Sequence, residues 1–383
     1  MTDILPYGRQ WIDESDIQAV VNVLRSDWIT TGPMVETFEK AIAEFVGAKY
    51  AVALSSGTAA LHAAMYAAEI RKGDQVLVPP MTFVATANAV VFQGGTPSFV
   101  DVESATLLAD PAKIAEKIGS DTKAITVVDY AGQPCDYDSL RDIAKHKRLI
   151  LIEDACHSLG AKYKGEKVGS LADLTIFSFH PVKHITTGEG GMVVTDNPQF
   201  AEKMRRFRNH GIATDYRQRA EKRTWFYEMV DLGYNYRLTD IQCALGISQL
   251  RKLPGWITRR REIAKRYDNA FAGNLYVKPL ETKSSAFHAY HLYVIQLSLE
   301  KLKVSKNEVF TFLQNAGIGV NVHYIPVHLH PFYRKTFGTS TGLCPVAEAA
   351  YERILSLPIF PRMTDKDVTK VIGAIDSLSG FSA

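Results

Sequence analysis

Between residues 51 and 195 the chain alternates short apolar runs with segments whose apolar positions recur every three to four residues. The runs AVALSS (51–56), DQVLVPP (74–80), TPSFVDV (96–102), KAITVVDYAG (123–132) and RLILIEDAC (148–156) predict strands. GTAALHAAMYAAEI (57–70), FVATANAVVFQGG (83–95) and YDSLRDIAKHK (137–147) carry the helical period between them. Strands buried on both faces and separated by amphipathic helices predict an α/β architecture with a mostly parallel sheet. LTIFSF (174–179) and GGMVVT (190–195) form a further strand pair, expected to close that sheet, before the helix PQFAEKMRRFRNHG (198–211). Two helical stretches, DESDIQAVVNVL (13–24) and VETFEKAIAEFVGA (35–48), precede it all.

The pattern changes near residue 250. Residues 241–273 predict one long helix, interrupted or kinked around Pro254. HLYVIQLSL (291–299) and IGVNVHY (318–324) predict strands, and KNEVFTFLQNAG (306–317) and DKDVTKVIGAIDSL (365–378) predict helices. The expected organisation is a large domain over 1–250 with an N-terminal arm, and a smaller C-terminal α+β domain over 251–383.

Composition narrows the function. Of 383 residues, 46% are apolar and 22% charged, and the net charge is only +3. Without basic runs, neither a nucleic acid nor an anionic membrane is an expected partner. No run is long enough to span a membrane, and MTDILPYGRQW lacks the apolar core of a secretory signal. The four cysteines show no CxxC spacing, which predicts reduced thiols, a cytoplasmic setting and no structural metal.

Ligands of open α/β sheets bind at the carboxyl ends of strands, near helix N-termini. Four groups fall at such ends. In SSGTAAL (55–61), Gly57 lets backbone approach an anion, and the amides of Thr58 and Ala59 open a helix; Ser-Gly-Thr is also a common N-cap. In LILIEDACHSLG (149–160), Glu153 and Asp154 end an apolar strand, costly unless their charge meets a cation, and His157 follows. TFVATAN (82–88) supplies Phe83, and SFHPVKHITTGEGG (178–191) supplies Ser178 and Lys183. A lysine for a Schiff base, a carboxylate for a pyridine nitrogen, an aromatic and a phosphate cup together suit pyridoxal 5′-phosphate.

These stretches, with SDWITTGP (26–33), EDACHSLGA (153–161), RNHG (208–211), GYNYRLTDIQ (233–242), VHYIPVHLHPFY (322–333) and SLPIFPRMT (356–364), resemble the DegT/DnrJ/EryC1/StrS family of sugar-nucleotide aminotransferases. The resemblance implies fold type I of the pyridoxal-phosphate-dependent transferases, like aspartate aminotransferase. It implies that Lys183 holds the cofactor covalently, that Asp154 pairs with the pyridine nitrogen, and that His157 lies on the ring face. Thr58, Ala59 and Ser178 would bind the phosphate, with Phe83 as an aromatic neighbour. Asn235 would be supplied by the adjacent subunit, which implies a homodimer with shared sites.

Within the family, PYGRQWID (6–13), VDYAGQPCDYD (128–138) and HPVKHITTGEGG (180–191) resemble the pseudaminic acid branch. Its members use UDP-2-acetamido-2,6-dideoxy-β-L-arabino-hex-4-ulose and L-glutamate, which leaves as 2-oxoglutarate. The UDP-4-amino-4-deoxy-L-arabinose branch is the alternative. Many relatives have H-x-Y-G where Asp129 and Tyr130 stand in this chain. The resemblance places Tyr7, Asp27, Trp28, Ile29, Thr30 and Ser56 on one side of the sugar nucleotide, and Val322, His323, Tyr324 and Ile325 on the other, with Arg9 toward the diphosphate. Dehydratases of this fold replace the lysine by histidine, so Lys183 speaks against that activity despite its neighbour His184, and the complete cofactor set speaks against a non-catalytic regulator.

Overall fold

The computed structural model describes residues 4–214, 219 and 223–382. Its large sheet contains β1 (Tyr50–Leu54), β2 (Gln75–Val78), β3 (Thr96–Phe99), β4 (Thr122–Val128) and β5 (Ile150–Asp154). The chain then makes two short strands, β6 (Lys162–Tyr163) and β7 (Glu166–Lys167), before β8 (Leu174–Ser178) and β9 (Gly191–Thr195) complete the sheet. The order is β1-β9-β8-β5-β4-β2-β3. All neighbours are parallel except β9, which runs antiparallel to both β8 and β1. The β8–β9 pair therefore lies inside the sheet rather than closing it. The antiparallel β9 leaves its outer edge free, and β1 takes that edge in register from Tyr50↔Thr195 to Leu54↔Gly191.

Helices α1 (Glu14–Leu24) and α2 (Pro33–Val46) precede β1, and α3 (Gly57–Ala67), α4 (Val84–Phe92), α5 (Pro111–Lys117), α6 (Tyr137–Lys147) and α7 (Pro198–Phe207) connect or follow the strands. Aliphatic side chains of β1, β2, β4, β5, β8 and β9 form the main core with α3 and α4. A second core gathers Ile263, Tyr267, Phe271, Ile295, Leu313, Leu355 and Val371 around β10 (Val277–Pro279), β12 (Tyr293–Leu297) and β13 (Ile354–Leu357). The two-residue β11 (Ala286–Phe287) pairs with β6 instead.

The helix Asp240–Phe271 joins the two cores and runs unbroken through Pro254, where an interruption is expected. Proline removes one backbone donor, and this helix is held on both sides of the gap. Gln249 Nε2 donates to Asp16 Oδ2 at 2.6 Å, Lys252 pairs with Asp16 at 2.8 Å, and Trp256 stacks on Trp11 at 5.9 Å. The expected border at 250/251 lies within it.

The expected strand 318–324 is absent. Ile318 and Asn321 each make a single isolated bridge, to Leu5 and Ser356. Asn321 Oδ1 accepts the Val322 amide at 2.8 Å, which diverts the chain from a ladder. Residues 322–325 instead become a loop facing the carboxyl end of the large sheet.

Helix α2 lacks a cap of its own, since Gly32 precedes it. The fully buried Asp240 fills that role across 206 residues, accepting Gly32 N at 2.7 Å and Met34 N at 2.8 Å. Asp240→Ala is expected to lower stability by about 1–3 kcal/mol, the cost of stranding buried donors, measured as a reduced urea midpoint.

Candidate active site

The carboxyl ends of β1, β5 and β8 point the same way, and the chemically competent side chains collect there. At the mouth of α3, a Cβ on Gly57 would lie 2.9 Å from Ser178 Cβ and 3.6 Å from Cys156 Sγ. Glycine is required because β8 approaches the helix N-terminus this closely. Ser56 accepts the Ala59 amide at 3.0 Å, so that amide is spent on the cap. The first amides of a helix lack intrahelical acceptors, and here they stand beside the exposed Thr58 and the partly exposed Ser178. The result is an anion cup bounded by two hydroxyl side chains.

Asp154 ends β5, almost fully buried. Thr86 Oγ1 donates to its Oδ2 at 2.7 Å, and the Cys156 amide reaches Oδ1 at 3.2 Å. Thr82 and Thr86 hydroxyls lie 2.6 Å apart behind it. Lys183 sits half-buried in the loop after β8. Burial lowers its pKa, while Cys156 and Asp154 act in the opposite sense. The net effect raises the fraction of neutral, nucleophilic amine at neutral pH.

Among the described residues, the cation that a buried acid pair would call for does not reach Glu153. Alternation along β5 turns Glu153 to the other face of the sheet, where it is fully buried and accepts Thr175 Oγ1 at 2.6 Å. Its neighbour there is Asp129, another acid. Burial raises the Glu153 pKa, and Asp129 raises it further, so Glu153 is held neutral without a cation.

His157 and Tyr324 form the opposite wall. His157 Nε2 lies 2.9 Å from the Tyr324 hydroxyl, and the rings stack at 6.0 Å and 19°. Burial, with Lys183 nearby, holds His157 far below the usual imidazole range and therefore neutral. Phe83, more than half exposed, stands 6.2 Å from the Tyr324 ring. His323 Nδ1 lies 2.8 Å from Ser356 Oγ, its carbonyl accepts the Tyr130 hydroxyl, and its ring lies 5.2 Å from Tyr7. Val322 is half-buried and Ile325 exposed on the same loop, while Arg9 is exposed beyond Tyr7 on the N-terminal arm.

Two expected groups stand apart from this cluster within one chain. Asp27, Trp28, Ile29 and Thr30 are exposed, tied to the start of the long helix through the Thr30–Thr239 bridge and the Asp240 amide on Ile29 O. Asn235 is exposed and bridges Asn209, although the next residue, Tyr236, accepts the Ser55 amide beside the anion cup.

Sequence reasoning missed Thr86, Tyr130 as a tether of the 322–325 loop, and His291, whose ring lies 4.5 Å from His157. Thr86 stands one helical turn after Phe83, a spacing that puts both at the mouth of α4. His291 carried no signal, because its approach depends on the 289–292 segment crossing behind Gly132, which the Ala289 amide reaches at 2.9 Å.

The cluster fits pyridoxal phosphate. The Gly57 cradle leaves no room for a side chain, Asp154 offers a carboxylate fixed by two donors, and the buried Nδ1 of His157 has no hydrogen-bond partner among the described residues. Among those residues no cluster suits a metal ion, and no helix is long and apolar enough to cross a membrane. A lysine near a strand-end carboxylate on this fold suits a pyridoxal-phosphate-dependent enzyme of fold type I.

The family profile of the DegT/DnrJ/EryC1/StrS aminotransferases matches residues 10–376. The chain is 41% identical to the spore coat polysaccharide biosynthesis protein SpsC of Bacillus subtilis, over 97% of this chain and 96% of that protein. The putative sugar aminotransferase Spr1654 of Streptococcus pneumoniae, in its PMP-form, superposes with a TM-score of 0.93 at 33% identity, covering 98% and 99% of the two chains. Helicobacter pylori PseC, an aminotransferase of pseudaminic acid biosynthesis, superposes with a TM-score of 0.91 at 33% identity and the same coverage. The chain belongs to the DegT/DnrJ/EryC1/StrS aminotransferase family.

Thr86→Val keeps shape but removes the donor on Asp154. Pyridoxal phosphate affinity is expected to fall roughly tenfold or more, matching the ~1.5–3 kcal/mol of a hydrogen bond to a charged group. Titration of the cofactor-free protein, followed by visible absorbance, checks this; unchanged affinity removes Thr86 from the site.

Proposed function

We propose that the protein transfers the amino group of L-glutamate to C4 of UDP-2-acetamido-2,6-dideoxy-β-L-arabino-hex-4-ulose, a step of pseudaminic acid biosynthesis. The observation that carries amino transfer is Lys183 within electrostatic reach of Asp154, together with the close Gly57–Ser178 approach at the mouth of α3. Support for the sugar comes from the likeness to PseC and from the wall built by Tyr7, His323 and Tyr324. Amination of another nucleotide-linked 4-keto sugar, the UDP-L-arabinose derivative included, is a second reading. The 41% identity to SpsC, named for spore coat polysaccharide biosynthesis rather than for pseudaminic acid, is why it is kept.

Pyridoxal phosphate, when bound, would supply a carbonyl for the donor's amine and an electron sink for the electron pair left when the donor's α-carbon gives up its proton. Lys183 Nζ holds the cofactor at rest and, once displaced, takes and returns that proton; its lowered pKa suits a base near neutrality. Asp154 holds a proton on the ring nitrogen. The neutral His157 lies on the ring face without adding charge, and Ser178 and Thr58 hold the phosphate. The substrate's uracil and diphosphate are assigned to Tyr7, Arg9, residues 27–30 and Ser56, and its sugar to residues 322–325.

Asn235 and an exposed apolar group, Trp225, Phe226, Tyr227, Met229, Val230 and Leu232, occupy one stretch before the long helix. Such a surface suits a second copy of this chain, and the homodimer we propose brings Asn235 to the partner's phosphate. The four free cysteines accord with a reducing, cytoplasmic compartment.

Each candidate UDP-4-keto sugar should be incubated with L-glutamate and the product identified by NMR, with Lys183→Ala as the inactive control. The expected outcome is the 4-amino sugar from the β-L-arabino substrate and none from Lys183→Ala. Preference for another keto sugar supports the second reading, and turnover by Lys183→Ala overturns the mechanism.

Asn235→Ala and Lys183→Ala, each inactive alone, are expected to complement after subunit exchange. A mixed dimer then holds one intact site and one lacking both groups. Exchange without recovered activity places Asn235 outside the partner's site.

A further inference from the structure

Behind the cofactor face lies a polar cluster that the transfer reaction does not use. Asp129, just past the end of β4, and Glu153, on the neighbouring β5, are both fully buried, with no cation paired to either among the described residues. Asp129 Oδ1 accepts Tyr137 Oη at 2.8 Å and Cys135 N at 3.1 Å, and its Oδ2 accepts Ser158 Oγ at 2.7 Å. Glu153 Oε2 accepts Thr175 Oγ1, but its buried Oε1 receives no donor from the described residues. A carboxylate oxygen in that state is costly unless it carries a proton of its own, and Asp129 lies within hydrogen-bonding reach to accept it. Two unscreened charges at this separation could not both persist.

We propose that Glu153 is a neutral acid whose proton is shared with the Asp129 carboxylate, and that this pair is the positioning element of the active site. Each member borders a functional group by one residue. Glu153 precedes Asp154, Asp129 precedes Tyr130, and Ser158 follows His157. Tyr130 in turn tethers the His323 carbonyl, next to Tyr324 on His157. A single hydrogen-bonded unit thus fixes the ring-nitrogen partner, the ring-face histidine and the loop that closes over them. Burial acts in the same sense, raising both carboxyls, and the three donors on Asp129 against the donorless Oε1 of Glu153 make Asp129 the anion and Glu153 the acid. The ionisable groups around the pair are Tyr137, Cys135 and Asp154, and the one cation whose charge reaches Cys135 among the described residues, Lys283, is paired with Glu103 at 2.7 Å.

The inference rests on the pyridoxal-phosphate reading of the site, but its first test needs no cofactor. Infrared difference spectra of the purified protein at neutral pH should show the carbonyl stretch of a buried protonated carboxylic acid. That band should vanish in Glu153→Gln. Its absence from the wild type, or its persistence in Glu153→Gln, overturns the shared proton whatever the protein's substrate. The second test concerns positioning. Glu153→Leu should weaken pyridoxal phosphate binding at least about tenfold, as loss of a hydrogen bond to a charge would, while Glu153→Gln, whose amide still donates to Asp129, should restore most of it. Equal affinity in the Leu and Gln variants, or wild-type affinity in Leu, overturns the positioning role. Should Leu fail to fold, Ser158→Ala replaces it with the same expectation, because it cuts the link between Asp129 and the His157 loop.

Discussion

Burying carboxyl groups at the end of a sheet is the constraint around which this protein is arranged. Three acids stand at the carboxyl ends of β4 and β5, in positions where water cannot stabilise their charge. Each is accommodated differently. Asp154 is met by a threonine hydroxyl, a backbone amide and a lysine nearby. Asp129 keeps its charge through a ring of neutral donors. Glu153 has the fewest donors and gives the charge up. A sheet that solved the three alike would have no ionised group directed at a pyridine ring.

The same economy shapes the rest of the site. Lys183 and His157 are both driven toward neutrality by burial, yet for opposite uses. A neutral amine is a nucleophile and a base; a neutral imidazole is a flat, uncharged surface for a ring. The anion cup avoids side-chain charge altogether, relying on helix amides and hydroxyls brought together where Gly57 admits β8. For the diphosphate of the substrate we propose, Arg9 on the N-terminal arm is an exposed cation.

The long helix couples these local solutions to the whole chain. Its first residue caps α2, its middle turns hold α1 and the N-terminal arm, and its later turns enter the second core. Buried Arg260, on that helix, donates to the carbonyls of Tyr290, His291 and Ile359, while the Ile359 amide donates to Tyr7 O. One element therefore sets the substrate-side arm, the segment behind His157 and the cap of α2 together.

Much of this was legible in the order of residues. Apolar runs buried on both faces declare parallel strands, because only a doubly covered sheet tolerates them, and a lysine between two such strands is marked by its isolation. Gly57, Asp154, Ser178 and Lys183 were readable because each is a local exception at a strand end. What the sequence could not decide depends on side chains meeting across long separations. The β1–β9 edge joins residues some 140 positions apart. Tyr130 reaches His323 across 193, and Asp240 reaches Gly32 across 208. Residues 318–324 have a strand's composition, yet Asn321 and the N-terminal arm turn them into a loop. Glu153 and Asp154 are adjacent and alike on paper. The pleat alone sends one toward Lys183 and the other to Asp129, and that difference in surroundings is what drives Glu153 toward its neutral form.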